Sequence, residues 1–193
     1  MAQAVSDQEM RQFLDKQAIT EVVFRYARAI DRLDEPLLRS VFHPDSQHNH
    51  FYEGPSSAPD LPSTADNPGD FVAFAFGALT VHTRTHHQMG NTLIEFKDDD
   101  SARVETYFTA FHRMRARGDS LAADNAHDTE MDYFVGGRYI DQFERRDGEW
   151  KIVHRVGMTD WMRVESPASQ GFDALNQETV GQRAPDDYIY KTS

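Results

Sequence analysis

Residues 136–155, Gly-Gly-Arg-Tyr-Ile-Asp-Gln-Phe-Glu-Arg-Arg-Asp-Gly-Glu-Trp-Lys-Ile-Val-His-Arg, constrain the fold of this chain more than any other stretch. Asp147-Gly148 is a tight-turn signal, because glycine reaches positive φ without a Cβ clash. Two long alternating segments flank it, so the stretch reads as an antiparallel hairpin. A hairpin this long cannot stand alone and must lay one face on a core. Yet Arg138, Asp141 and Arg155 interrupt strands that should be filling that core. One half of the hairpin is therefore expected to be structural and the other half to face a pocket.

The rest of the chain supplies the core. With 13 Phe, 7 Tyr and 2 Trp in 193 residues, there is aromatic mass for one well-filled domain. Ser6 begins a helix over 6–33, with Glu9 placed for a capping box. Phe13, Leu14, Ile19, Val22, Val23, Tyr26, Ala27 and Ile30 recur at three- and four-residue spacing, with a drift near Ala18. Asp34-Glu35-Pro36 opens a short second helix through Leu37, Leu38, Val41 and Phe42. Residues 45–54 read as a short strand, 55–68 as a loop and 68–79 as a third helix. From Thr83 the period changes from 3.6 to 2, with strands expected over 84–96, 101–116, 131–145 and 149–163. Helices followed by long antiparallel strands give an α+β fold, a strongly curved sheet packed around N-terminal helices as a cone. The open mouth of such a cone suits a small molecule. The domain is expected over 1–166, with an irregular tail over 167–193 that crosses a neighbour or stays mobile.

Composition removes several function classes. The net charge of −12 disfavours nucleic acid and anionic membrane as partners, since both call for clustered Lys and Arg. The absence of cysteine rules out disulfides and thiolate catalysis. No apolar run approaches the roughly 20 residues of a membrane span, and no signal peptide is apparent, which fits a cytoplasmic protein. The histidines at 43, 48, 50 and 82 lack the spacing of familiar zinc motifs, so neither a metal nor a cofactor is expected.

Three places could carry chemistry. Tyr26 and Asp31 lie near the end of the first helix. In Thr85-His86-His87-Gln88-Met89-Gly90-Asn91, strict alternation would put His87, Met89, Asn91 and Leu93 on one face, and His86 with Gln88 on the other. Alternation alone does not choose between His86 and His87 as the inward imidazole. An Asp within reach of that ring would fix its tautomer and raise its basicity. On the last strand, Arg155 would share a face with Val153 and Lys151, opposite Trp150, Ile152 and His154; an inward Arg could hold developing negative charge, or simply pair with a neighbouring strand.

Tyr26-x4-Asp31, His87-x3-Asn91 and the hairpin ending at Arg155, in this order, resemble the SnoaL-like branch of the nuclear transport factor 2-like superfamily, which includes scytalone dehydratase, bile-acid dehydratases and lindane dehydrochlorinase. The resemblance covers residues 8–163. It implies a cone fold, assembly as a homo-oligomer of two or three copies, and a catalytic dyad of Asp31 with His87, selected over His86 by its distance to Asn91. It also implies substrate contacts from Tyr26, Asn91 and Arg155. Arg138 and Asp141 are then read as sheet-edge or interface pairs. The expected activity is that of a cofactor-independent lyase or isomerase of the dehydratase type. Its substrate would be small and hydrophobic, with cyclic compounds among the candidates, in keeping with the abundant Phe and Met and with Trp161. The competing expectation is a non-catalytic ligand-binding or assembly module, of the kind seen in β-subunits of ring-hydroxylating dioxygenases.

Overall fold

Helix α1, Asp7–Arg32, starts on the expected capping box: the Ser6 hydroxyl accepts the Glu9 N–H and the Glu9 carboxylate accepts the Ser6 N–H. It ends at Leu33, whose left-handed φ of 49° lets the chain turn away. In this computed structural model, residues 5–50, 68–124, 126–167, 175–176 and 178–191 are described. The helix runs unbroken through Ala18, but its burial does not. Ile19, Val22, Val23, Tyr26, Ala29 and Ile30 are buried, while Phe13 and Leu14 project into solvent. The drift of the stripe at Ala18 is therefore where α1 leaves the core, not where it breaks.

Asp34 caps the short helix α2, Glu35–Ser40, through the Leu37 N–H, and Pro36 sits in its first turn. Phe42, expected in that helix, instead opens strand β1, Phe42–His50. Helix α3 spans Pro68–Thr80. The loop expected over 55–68 and the expected strand end at Gly54 lie outside the described residues, apart from Pro68. Four long strands follow: β2, His82–Phe96; β3, Ser101–Met114; β4, Met131–Arg146; and β5, Glu149–Glu165. Their order is β1-β5-β4-β3-β2, with β1 parallel to β5 and every other pair antiparallel. The result is an α+β cone, an open five-stranded mixed sheet whose concave face receives the helices. Between them lies one core of Ile19, Val23, Ile30, Leu38, Phe42, Phe71, Val72, Val104, Phe143 and Ile152. No helix among the described residues is long and apolar enough to cross a membrane.

Bulges decide which side chains enter the cone. Along β2, Met89 faces Phe108 and Thr92 faces Thr106, so Gly90 and Asn91 together oppose Tyr107. Along β5, Ile152 faces Phe143 and His154 faces Gln142, which leaves Val153 as an extra residue. A second bulge at Asp160 separates the pairs Gly137 with Thr159 and Gly136 with Trp161. Because side chains alternate with a period of two, each extra residue flips all that follow to the opposite face.

Two expectations fall with that flip. Arg155 shares its face with Trp150 and Ile152, not with Val153 and Lys151, and is wholly buried. Trp161, counted with Phe and Met as a sign of a hydrophobic substrate, lies half exposed on the outer face against Gly136. A Cβ added at Gly136 would stand 2.2 Å from the indole nitrogen.

Residues 178–191 of the tail fold back on the chain itself, at the ends of α1 and α3 and the start of β2.

Candidate active site

Asp31 lies in the last turn of α1, and His87 lies on β2 with its ring turned inward. The imidazole Nδ1 sits 2.7 Å from one Asp31 oxygen, and the His87 backbone N–H donates to the other at 2.8 Å. Both side chains are nearly buried, at 8 and 10% exposure. His86 points out to solvent. The bidentate grip on one residue fixes both the ring and the strand beneath it.

The electrostatics follow from that geometry. Burial alone would raise the Asp31 pKa. The hydrogen bond from the His87 ring, its charge and the backbone N–H together outweigh that effect and hold the carboxyl below the usual range. An ionised carboxylate only accepts, so whenever the ring is neutral its proton sits on Nδ1 and the lone pair on Nε2. That is the arrangement of a general base with a fixed tautomer.

Two further histidines surround the dyad. The ring of His112 lies 5.1 Å from that of His87, edge-on, and His82 lies 5.0 Å from His112. His112 faces Thr85 across the β2–β3 ladder, and His87 faces Ala110, so the two rings are diagonal neighbours. Burial, reinforced by the charges of His87 and His82, pushes His112 well below its ordinary value. Burial likewise lowers His82, to about 4. Both are neutral at pH 7, and the buried Nδ1 of His112 finds no hydrogen-bond partner among the described residues. His112 was not among the expected site residues. Its signal was present, since Val104, Thr106, Phe108, Ala110 and His112 alternate in one phase along β3. Despite these rings, no cluster of three His, Asp or Glu side chains among the described residues is arranged to hold a metal ion.

Tyr26 and Arg155 meet elsewhere in the core. The Arg155 Nε and Nη2 each donate to Asp141 at 2.7 Å, and both residues are completely buried. The guanidinium lies against the rings of Tyr26, 4.0 Å away, and Tyr139, 4.2 Å away. Burial raises the pKa of both phenols, more than Arg155 can lower them, so each stays a neutral hydroxyl. Arg155 Nη1 finds no hydrogen-bond partner among the described residues. Asp141 is thus the buried counter-ion of Arg155, not the edge or interface pair expected. Arg138 does pair at the sheet surface, with Asp160 and Glu105.

Asn91 does not join these groups. The Gly90–Asn91 bulge turns it into solvent and brings Thr92 onto the inner face with His87 and Met89. An isolated glycine inside a strand pattern was the readable sign of that bulge. The surface hollows among the described residues include one of about 20 Å³ beside Arg11 and Asp15 and one of about 260 Å³ beside Val22, Arg25 and Trp150. Neither reaches the dyad.

The SnoaL-like domain family matches residues 11–156. No curated protein sequence is a significant match. Solved structures with the same fold include a type 2 LinA hexachlorocyclohexane dehydrochlorinase, 17% identical, with a TM-score of 0.68 over 86% of this chain and 99% of that one. A second LinA structure is 18% identical, with a TM-score of 0.66 over 85% of this chain and 97% of that one. A scytalone dehydratase-like protein of Novosphingobium aromaticivorans is 20% identical, with a TM-score of 0.62 over 83% of this chain and 97% of that one.

Proposed function

Since the chain belongs to the SnoaL-like domain family, we propose that it is a cofactor-independent lyase or isomerase in which His87, oriented by Asp31, removes a proton from a small hydrophobic substrate. The observation that carries this reading is the two-point contact between Asp31 and His87. Nε2 takes the proton from a carbon acidified by an adjacent carbonyl or standing next to a leaving group. The C–H electron pair becomes a carbon–carbon double bond as hydroxide or halide departs with its own electrons. In an isomerisation, the same proton returns to a different carbon. Asp31 stabilises the imidazolium formed, and base catalysis of this kind contributes about 10²- to 10⁴-fold.

His112, neutral and with a free ring nitrogen, can hydrogen-bond the departing group. The Tyr26 hydroxyl and Arg155 Nη1 supply a donor and a positive charge for developing negative charge. The names of the dehydrochlorinase and dehydratase-like neighbours fit eliminations that begin with this proton transfer. Assembly into two or three copies is part of the proposal: Leu93, Tyr107, Met158 and Trp161 leave apolar area exposed on the outer sheet face.

The test is a panel of cyclic β-hydroxy ketones and halogenated cyclohexanes in D₂O, scored for elimination or deuterium uptake. Turnover should collapse in His87→Ala and Asp31→Ala; near-normal turnover in both would overturn the reading. One observation favours a non-catalytic binding module instead: Arg155 is largely committed to Asp141.

A further inference from the structure

The C-terminal segment 178–191 lies wholly beyond the family match, which ends at residue 156. It is nonetheless a built element. Its pivot is Asp187, a buried carboxylate that accepts the backbone N–H groups of Gln182, at 2.8 Å, and Ile189, at 3.1 Å. Those bonds close the segment on itself and start a single 3₁₀ turn at Tyr188–Tyr190.

From that pivot the segment reaches both walls beside the dyad. On the α1 side, Asp187 pairs with Arg32 at 3.2 Å, the Ala184 N–H donates to the Arg32 carbonyl at 2.6 Å, and the Tyr190 hydroxyl donates to Asp34 at 2.8 Å. Arg32 directly follows Asp31. On the other wall, Arg183 Nη2 donates to the Leu79 carbonyl, at 2.9 Å, and the His82 carbonyl, at 3.0 Å, while Arg84 donates to the Gly181 carbonyl. His82 and Arg84 lie five and three residues before His87 on β2. One segment thus ties the end of α1 to the start of β2, the two elements that deliver Asp31 and His87. The Arg183 guanidinium is close enough to Asp31 to feel its charge.

We propose that residues 178–191 form a strap that closes the end of the cone over the Asp31–His87 dyad, with Arg183 as its positioning residue. The strap shields the dyad from bulk water and limits what reaches Nε2, so this chain's substrate range is set partly by an element outside the shared family fold. The proposal rests on the dyad being the site, but its test does not depend on turnover.

The probe is diethyl pyrocarbonate, with carbethoxylation of His87 and His86 followed separately by peptide mass spectrometry on the full chain. His86 faces outward on the same strand and serves as the internal reference. In Asp187→Ala and Arg183→Ala, His87 should react roughly three- to tenfold faster, the scale set by losing one or two net hydrogen bonds, while His86 is unchanged. Arg183→Lys, whose ammonium can still reach both carbonyls, should restore protection, and Tyr190→Phe should give a smaller rise. An unchanged His87 rate overturns the proposal, and so does an equal rise at both histidines. If protection behaves as stated while no elimination activity is found, the strap stands and the catalytic reading fails.

Discussion

Two of the buried acid–base pairs look alike on paper and differ in what they leave free. Asp31 and His87 join a helix end to a strand, and their contact uses one ring nitrogen while sparing the other. Asp141 and Arg155 join two neighbouring strands. Their contact consumes two guanidinium nitrogens and both carboxylate oxygens, between two tyrosine rings. The first pair can accept a proton and return it. The second cannot exchange one, because guanidinium keeps its charge at every working pH. It can only hold a charge in place. In the proposed site, a base at Asp31–His87 would thus stand apart from a fixed positive charge at Arg155.

Breaking each pair should expose that difference. Asp141→Ala leaves Arg155 buried without its counter-ion and should cost about 3–5 kcal/mol of stability, read by urea unfolding. A double variant, Asp141→Leu with Arg155→Met, should recover most of that loss. His87→Ala should have a different profile: turnover falls about 10²- to 10⁴-fold, while the stability cost stays below that of Asp141→Ala, because Asp31 keeps the bond from the backbone N–H of residue 87.

Acid should bear on the surroundings of the first pair, since the guanidinium of the second keeps its charge. His82 and His112 have folded pKa values below their unfolded value of about 6.5, so the unfolded chain binds protons that the folded chain does not. Their contribution is complete above pH 6.5 and is lost as pH falls toward about 4, the value for His82. Asp31, lowered from an already acidic value, adds its loss only below that window. Thermal melts from pH 8 to 4 should fall from about pH 6.5 downward, and a double His82→Phe, His112→Phe variant should flatten the upper part of that slope. The smallest effect belongs to Tyr26→Phe. It keeps the ring on Arg155 and removes only the hydroxyl, so stability should change by about 0.5–1.5 kcal/mol while turnover drops more than stability predicts.

How far the sequence carried can be judged on particular residues. The capping box at Ser6 and Glu9 and the turn at Asp147-Gly148 are local signals, and both appear as read. The pairing of Asp31 with His87 was legible only through the family resemblance, since 56 residues separate them. Which face each side chain takes was legible only until the first bulge. Gly90 marked one bulge, whereas Val153 carries no sign of another, because its extra residue is set by the register against β4. Asp141 was misjudged for the same reason: its partner enters the core only after that flip. The strap could not be read at all, since it has no periodicity and draws its order from long-range contacts to Arg32, Asp34 and His82.

The central claim is that Asp31 holds His87 with Nδ1 protonated and Nε2 free to act as a base. Long-range ¹H–¹⁵N correlation of the imidazole measures this directly, at a pH where the ring is neutral. The account predicts a pyrrole-type Nδ1 and a pyridine-type Nε2 for His87, with that preference lost in Asp31→Asn. A proton on Nε2 in the wild-type protein would contradict it.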